Sequence, residues 1–171
     1  MNFQTVQHAY FQVSDAERDE YTGCTVCEED QVEVEIVPLA PFKICRYLAP
    51  ELVPILRELV TGDEPLYTVV GYRVGKTRGK IDSDGNRTIF SNHSYGISID
   101  INQQQNGLYD NCEKFDQYCR LIRGGEWELG QLGSLSEESI IVRAMGEIGL
   151  QWGGRIKGKQ KDFMHFSPTG Y

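Results

Sequence analysis

This sequence lacks long apolar runs and has few basic residues for its number of acidic ones. No stretch of the 171 residues approaches the roughly 20 apolar residues of a transmembrane helix, and the N-terminus has no basic segment followed by an apolar core. We therefore expect a protein made in the cytoplasm, with no membrane segment. Because 25 acidic residues outnumber 17 basic ones and the formal charge is -8, neither nucleic acid nor an anionic membrane is expected as a partner.

Internal repeats, low-complexity tracts and linkers rich in Pro, Gly or Ser are also missing. At this length, a hydrophobic content of 40% and a charged content of 25% are typical of one globular domain with its own core. The composition changes near residue 31, where a polar, acidic stretch gives way to alternating apolar residues. We therefore expect an N-terminal extension over residues 1–31, packed on or flanking a monomeric domain over residues 32–171.

The five cysteines are odd in number and follow no secretory signal, so reduced thiols are expected rather than a disulfide framework. Cys24 and Cys27 form a CxxC pair, which is typical of half a zinc knuckle or of a redox site. No second CxxC pair and no paired histidines follow it, so a structural zinc would depend on these two residues and Cys45. Two incidental cysteines near a turn are the simpler interpretation.

Local patterns predict a chain that mixes helices and strands. Alternation predicts strands in "QVEVEIVPL", in "PLYTVVGYRV" and from Gly96 to Asn102, with a tight turn at Asp84-Gly85 before the last of them. Apolar spacing predicts helices in "APELVPILRELV", "NCEKFDQYCRLI" and "SLSEESIIVRAMGEIG". In the third, a capping box from Ser134 to Glu137 would open the helix and Gly149 would end it.

Histidine is scarce, with three in the chain, and two of them lie near carboxylates. His93 precedes the strand on whose polar face Asp100 lies, and His165 follows Asp162 by three residues, a spacing that brings side chains together in a tight turn. Imidazole nitrogen and carboxylate oxygen both bind zinc, and three protein ligands leave the fourth position of a catalytic zinc open. We therefore predict zinc bound by His93, Asp100 and His165, with Asp162 as the base that takes a proton from water.

These residues also carry a family resemblance. The stretches "SNHSYGISIDIN" and "GLQWGGRIKGKQKDFMHF" resemble the zinc peptidases that cut the stem peptides of bacterial peptidoglycan. That family includes D-alanyl-D-alanine carboxypeptidases and dipeptidases, and the L-alanyl-D-glutamate endopeptidases found as phage endolysins. Its pattern is Ser-x-His-x-x-Gly-x-Ala-x-Asp, a distant Trp-Gly-Gly, and then Glu or Asp-x-x-His. The positions that match it, in order, are Ser91, His93, Gly96, Asp100, Trp152, Gly153, Gly154, Asp162 and His165.

The resemblance spans roughly Pro41 to Phe166 and implies a fold and a reaction. The implied fold is α+β, of the hedgehog/DD-peptidase type, with helices on one side of a small antiparallel sheet and zinc in a cleft over that sheet. The implied reaction is hydrolysis of a bond in the peptidoglycan stem peptide. The family also uses an arginine upstream of the first histidine to polarise the scissile carbonyl. Arg73 in "GYR" and Arg78 in "RG" are both candidates, and Arg73 is preferred.

Several positions bear on substrate fit. Ser91 and Trp152 are candidate substrate contacts, for which capping of a turn and core packing are the respective alternatives. The aspartate at position 162, where many relatives have glutamate, favours the endopeptidase branch. The departures from the family pattern are Ser98 in place of Ala, Ile156 in place of a second aromatic, and Ser167 in place of Glu or Gln.

Three functional hypotheses follow from these residues. The first is a phage or prophage lysis enzyme, made in the cytoplasm and active on the cell wall after release, with a recycling or resistance peptidase as a variant. The second is a non-catalytic zinc-binding interaction module, or a structural part of a phage particle, on the same fold. The third is a redox or zinc module centred on Cys24 and Cys27.

Overall fold

The computed structural model describes residues 10–171, so His8, expected to be an exposed bystander, lies outside the described part of the chain. The described residues form two α-helices and several small antiparallel sheets, which confirms the α+β class. Neither of these helices is long and apolar enough to span a bilayer. In chain order the elements are β1 (Gln31–Val34), β2 (Phe42–Cys45), α1 (Ala49–Leu59), β3 (Val69–Val70), β4 (Lys76–Ile81), β5 (Arg87–Phe90), β6 (Ile99–Ile101), β7 (Leu108–Asp110), β8 (Arg120–Arg123), α2 (Ile140–Glu147), β9 (Gln151–Trp152), β10 (Gln160–Asp162) and β11 (His165–Ser167).

Two sheets position the functional residues. The four-stranded sheet has the order β3-β6-β11-β9, and the three-stranded sheet has the order β10-β7-β8. The other four strands pair as hairpins, β1 with β2 and β4 with β5. The chain passes from the three-stranded to the four-stranded sheet through the short turn between β10 and β11, so this turn places the end of β10 next to the start of β11, an inner strand of the four-stranded sheet.

The hydrophobic core lies between the four-stranded sheet and the two helices. Ile99 and Phe166 of that sheet are fully buried and share one apolar cluster with Leu52 and Leu56 of α1 and with Ile141 of α2. Burying such side chains contributes about 1.5–3 kcal/mol each. The strands that carry the candidate ligands therefore belong to the best-packed part of the described molecule.

The first predicted helix is confirmed and the third is confirmed in part. Helix α1 has its proline at the start, as predicted. Helix α2 begins at Ile140, so the predicted capping box is wrong: the Ser134 hydroxyl donates to the backbone of Gln105 instead. The Ile141 N–H donates to the carboxylate of Glu64 at 2.8 Å, a cap supplied from 77 residues away. Gly149, with φ +79°, follows the helix as predicted.

The predicted helix over "NCEKFDQYCRLI" is wrong. Cys112 and Cys119 form a disulfide with their Cα atoms 4.5 Å apart. Residues seven apart in an α-helix would be separated by about 10 Å along its axis, so this closure excludes a helix. The segment is instead an exposed loop that leads into β8, and β8 pairs with β7.

The expectation of reduced thiols is also wrong. Cys24 is bonded to Cys45 at the end of β2, and Cys27 is buried as a free thiol. Because two of the three sulfurs are bonded to each other, the CxxC-centred zinc site is excluded. The disulfide ties the N-terminal segment to the rest of the molecule, and the Tyr72 hydroxyl reinforces this contact by donating to the carbonyl of Val26 at 2.8 Å.

Candidate metal centre and active site

Asp100 and His165 are direct neighbours across the four-stranded sheet. Asp100 on β6 is the register partner of His165 on β11. Residues that face each other in an antiparallel pair have Cβ atoms about 4.5–5.5 Å apart and project from the same face. Asp100 Oδ1 accordingly lies 3.1 Å from His165 Nδ1, and the two residues are only 2% and 5% exposed.

His93 reaches the same point from a 3₁₀ turn over Asn92–Tyr95. Its Nε2 lies 3.0 Å from Asp100 Oδ1 and 3.2 Å from His165 Nδ1. The turn ends at Gly96 with φ +68°, where an added Cβ would lie 1.9 Å from Gln31 Oε1. Both the backbone conformation and the lack of space therefore require glycine at this family-motif position.

The hydrogen bond made by its other nitrogen orients the His93 ring. His93 Nδ1 lies 2.8 Å from the backbone carbonyl of Gly71, and a carbonyl only accepts, so Nδ1 carries the proton. The Arg73 Nη1 atom, 3.0 Å from the same nitrogen, is then a close contact rather than a donor to it. This tautomer leaves the lone pair of Nε2 directed at Asp100 and His165, as metal-binding histidines require.

The three atoms fit a metal ion. His93 Nε2, Asp100 Oδ1 and His165 Nδ1 are 3.0–3.2 Å apart. Tetrahedral zinc with bonds of about 2.0–2.1 Å places its ligand atoms about 3.3 Å from one another. Within residues 10–171, this is the group of His, Cys, Asp and Glu side chains close enough together to hold a metal ion. The predicted ligand set therefore has the donor types and the spacing of a zinc site with three protein ligands.

The second oxygen of Asp100 is held separately from the first. Arg73 Nη2 donates to Asp100 Oδ2 at 2.7 Å, and Gln103 Nε2 donates to it at 3.2 Å. Outer partners of this kind fix the orientation of a ligating carboxylate. They leave Oδ1 to face the two imidazoles.

Asp162 ends β10, immediately before the turn to His165. Its Oδ1 is shielded from solvent and has no hydrogen-bond partner among the described residues. Burial is the main reason why the pKa of Asp162 is raised to about 6, against the opposing charge of His165. Gly153 of the Trp-Gly-Gly motif packs against it, since a Cβ there would lie 2.4 Å from the Asp162 carbonyl oxygen.

Burial and the charges of the cluster act in opposite directions on the two imidazoles. Burial dominates at His93 and lowers its pKa. Burial also acts to lower the pKa of His165, but the hydrogen bond and charge of Asp100 outweigh it and raise that pKa. For Asp100, burial is outweighed by His93 and His165, and the pKa of the carboxyl is held well below its usual range. Asp100 is therefore a carboxylate at neutral pH, as a metal ligand must be.

The two candidate arginines lie in different places. Arg73 contacts the ligand cluster directly and its side chain is 22% exposed. Arg78 lies on the exposed β4–β5 hairpin, and its Nη1 donates to Asn92 Oδ1 at 3.1 Å.

Ser91 and Trp152 have structural partners. The Ser91 carbonyl accepts from the Ser94 N–H at 2.9 Å, at the start of the turn that carries His93. Trp152 is 4% exposed and its Nε1 donates to the Phe163 carbonyl at 2.7 Å. The Ser91 side chain makes no capping hydrogen bond to this turn, and Trp152 packs in the core. A contact of either residue with substrate stays a prediction.

Sequence reasoning did not find Gln103 or Arg123, which both lie near Asp100. Arg123 lies beyond the segment wrongly predicted as a helix, so no strand was expected to carry it toward the site. No local signal marks either residue, because only the register of β7 with β8 and the turn after β6 bring them to Asp100.

The family model described as D-alanyl-D-alanine carboxypeptidase matches residues 84–168, which are 85 of the 171 residues. The matched segment contains His93, Asp100, Asp162 and His165, and it excludes Arg73. The match supports a peptidase of this family, acting on peptides of the peptidoglycan type, and is consistent with the α+β fold. No curated protein and no solved structure matches the chain.

Proposed function

We propose that the protein is a zinc-dependent peptidase that hydrolyses a bond in the stem peptide of peptidoglycan, as the lysis enzyme of a phage or prophage. One observation carries the proposal: His93 Nε2, Asp100 Oδ1 and His165 Nδ1 converge at 3.0–3.2 Å, and the charges of His165 and Asp100 act on Asp162, whose Oδ1 has no hydrogen-bond partner within residues 10–171. All four residues lie in the segment that matches the peptidase family. A non-catalytic module on this fold would have no use for the buried carboxyl of Asp162.

Zinc held by these three residues would polarise the scissile carbonyl and lower the pKa of a water molecule to about 7. Asp162 takes the proton from the attacking water and delivers it to the leaving nitrogen. A base works best with a pKa near the working pH. In the metal-free protein, burial raises the pKa of Asp162 to about 6. Since no described residue hydrogen-bonds to its Oδ1, that oxygen is available for the transfer.

We propose that Arg73 polarises the scissile carbonyl by binding its oxygen. One edge of its guanidinium is held by Asp100 Oδ2, and the side chain remains 22% exposed. A fixed cation beside the ligands stabilises the negative charge that develops on the carbonyl oxygen during attack. Arg78, on the exposed β4–β5 hairpin, donates instead to Asn92 Oδ1 at 3.1 Å.

The substrate class contains two candidate bonds. They are the bond between L-Ala and D-Glu, which an endopeptidase cuts, and the terminal D-Ala-D-Ala bond, which a carboxypeptidase cuts. The aspartate at position 162 favours the first within the family resemblance. We propose that a monomer made in the cytoplasm cuts one of these bonds after it gains access to the wall.

Digestion of purified peptidoglycan tests the proposal. Zinc-loaded wild-type protein is incubated with peptidoglycan, and the released fragments are identified by mass spectrometry, which also names the bond. Asp162→Asn is the matched control, since it preserves shape and all three ligands but cannot accept a proton. It should retain about one zinc per chain and cut roughly a hundredfold to ten-thousandfold more slowly. If zinc-loaded wild-type protein releases no fragment, the peptidase is refuted and the non-catalytic zinc module is the better account.

A further inference from the structure

Arg123 lies in a cross-strand row with the proposed base. Asp162 on β10 pairs with Leu108 on β7, and Leu108 pairs in turn with Arg123 on β8, next to a register shift that separates this pair from Tyr109 and Leu121. Residues paired in this way across antiparallel strands project from the same face of the sheet. The row therefore directs Arg123 toward the face from which Asp162 approaches the ligand cluster.

The guanidinium of Arg123 is close to the cluster but not hydrogen-bonded to it. Its Nη2 lies 3.9 Å from Asp100 Oδ2, beyond hydrogen-bond distance, and the side chain is 34% exposed. Arg120, on the same strand, contrasts with it: its Nε and Nη2 donate to the two oxygens of Asp110 at 2.9 and 2.5 Å. Arg123 thus keeps a positive charge beside Asp100, with no hydrogen bond from its guanidinium to a residue of the described part of the chain, while the second oxygen of Asp100 is already held by Arg73.

For both candidate bonds, the leaving residue of the substrate carries a free α-carboxylate that could bind to Arg123. In D-Ala-D-Ala the residue whose nitrogen leaves carries the terminal α-carboxylate. In L-Ala-D-Glu the leaving residue is linked onward through its side-chain carboxyl, so its α-carboxylate is also free. In both cases the anion sits on the carbon bonded to the scissile nitrogen, and it must therefore lie beside the metal ligands when the carbonyl is in place.

We propose that Arg123 binds this free α-carboxylate and so selects peptides whose leaving residue bears one, an inference that rests on the proposed peptidase function. A guanidinium fork matches a carboxylate with two parallel N–H···O bonds, and the pair is stronger than a neutral hydrogen bond. Arg73 and Arg123 then bind different groups of the substrate. Arg73 faces the carbonyl oxygen, and Arg123 orients the leaving half of the substrate.

Matched peptide substrates test the assignment. Two pairs are used: an acylated peptide ending in D-Ala-D-Ala with either a free or an amidated terminus, and a peptide containing L-Ala-γ-D-Glu with either a free or an amidated α-carboxyl. Wild-type protein should prefer the free carboxylate of whichever pair it cuts. In Arg123→Gln the KM for that substrate should rise by about tenfold to a hundredfold with kcat little changed, and the preference over the amide should vanish. Arg123→Lys should restore part of the preference.

Arg120→Gln is the control, because it removes an arginine from the same strand that is already paired. It should leave both KM and the preference as in wild type, and zinc content should be unchanged in all three variants. The inference is overturned if wild type cuts acid and amide equally, if Arg123→Gln keeps the preference, or if its loss of activity follows a loss of zinc. None of these three outcomes contradicts the proposed peptidase function. If wild-type protein cuts neither peptidoglycan nor any of the four peptides, the proposed function is wrong, and the inference about Arg123 is wrong with it.

Discussion

The four-stranded and three-stranded sheets meet at the same site but differ in how they are built. Asp100 and His165 of the four-stranded sheet are 2% and 5% exposed, and the strands around them are part of the core. Strand β8, at one edge of the three-stranded sheet, is exposed along most of its length, including Arg120, Leu121 and Ile122. One sheet is anchored by packing on the helices, whereas the other presents one strand to solvent.

This difference separates two tasks that a hydrolytic site must perform. Metal ligands must be held within a few tenths of an ångström, which requires side chains locked by packing and by outer hydrogen bonds. Groups that meet a substrate must remain accessible to it. The ligands accordingly come from the buried sheet and the turn at His93, while Arg123, with 34% of its side chain exposed, comes from β8 of the other sheet. Asp162 lies on β10 of that same sheet, but its Oδ1 is shielded from solvent as the ligands are.

The largest expected effect comes from changing the buried sheet. Asp100→Asn replaces the carboxylate that faces both imidazoles with a neutral amide, which keeps one acceptor oxygen and carries no charge. We expect zinc content and peptidoglycan hydrolysis to fall together, by more than the tenfold to hundredfold typical of outer partners. Metal analysis beside the digestion assay measures both. Retention of about one zinc per chain would show that the ion is bound elsewhere.

The next effect concerns stability in the three-stranded sheet. In the metal-free protein, the pKa of Asp162 is raised from 3.8 to about 6, chiefly by burial. The folded protein therefore holds this proton more tightly than the unfolded chain does. Ionisation destabilises the fold: the penalty is absent below about pH 4, grows as the pH rises, and approaches about 3 kcal/mol above pH 6.

Asp162→Asn should remove that penalty. Urea unfolding of both proteins after metal removal, from about pH 3.5 to 7.5, should show the variant becoming more stable than wild type as the pH rises. At the acid end the two should converge, because a protonated aspartate and an asparagine are both neutral. A constant difference across the range would contradict the burial of the carboxyl.

The smallest of the three effects concerns Arg73, in the loop between β3 and β4. Arg73→Ala should lower kcat by about a hundredfold, comparable with loss of an oxyanion donor, when assayed with saturating zinc. Arg78→Ala should change kcat much less, since Arg78 lies on the exposed β4–β5 hairpin and its contact there is with Asn92. The opposite ranking would transfer the carbonyl-polarising role to Arg78.

Local patterns predicted those elements whose stability is itself local. Helix α1 was predicted because its apolar residues recur at helical spacing behind a proline, and Gly149 was predicted as a helix end because φ +79° favours glycine. The segment over 111–122 was mispredicted because its apparent helical pattern competes with a disulfide and with pairing of β8 to β7. The start of α2 was misplaced because its cap, Glu64, is distant in sequence.

The sequence by itself determined which chemical groups are available: two histidines and two aspartates in a motif order that resembles zinc peptidases, with glycine where the chain turns at Gly96. Only the tertiary structure decided that three of them converge. Asp100 and His165 are 65 residues apart in sequence and meet because β6 and β11 pair in one register, in which a slip of one residue would turn a side chain to the opposite face. Arg123 reaches Asp100 for the same reason, because β8 pairs with β7 in a register that no local pattern encodes.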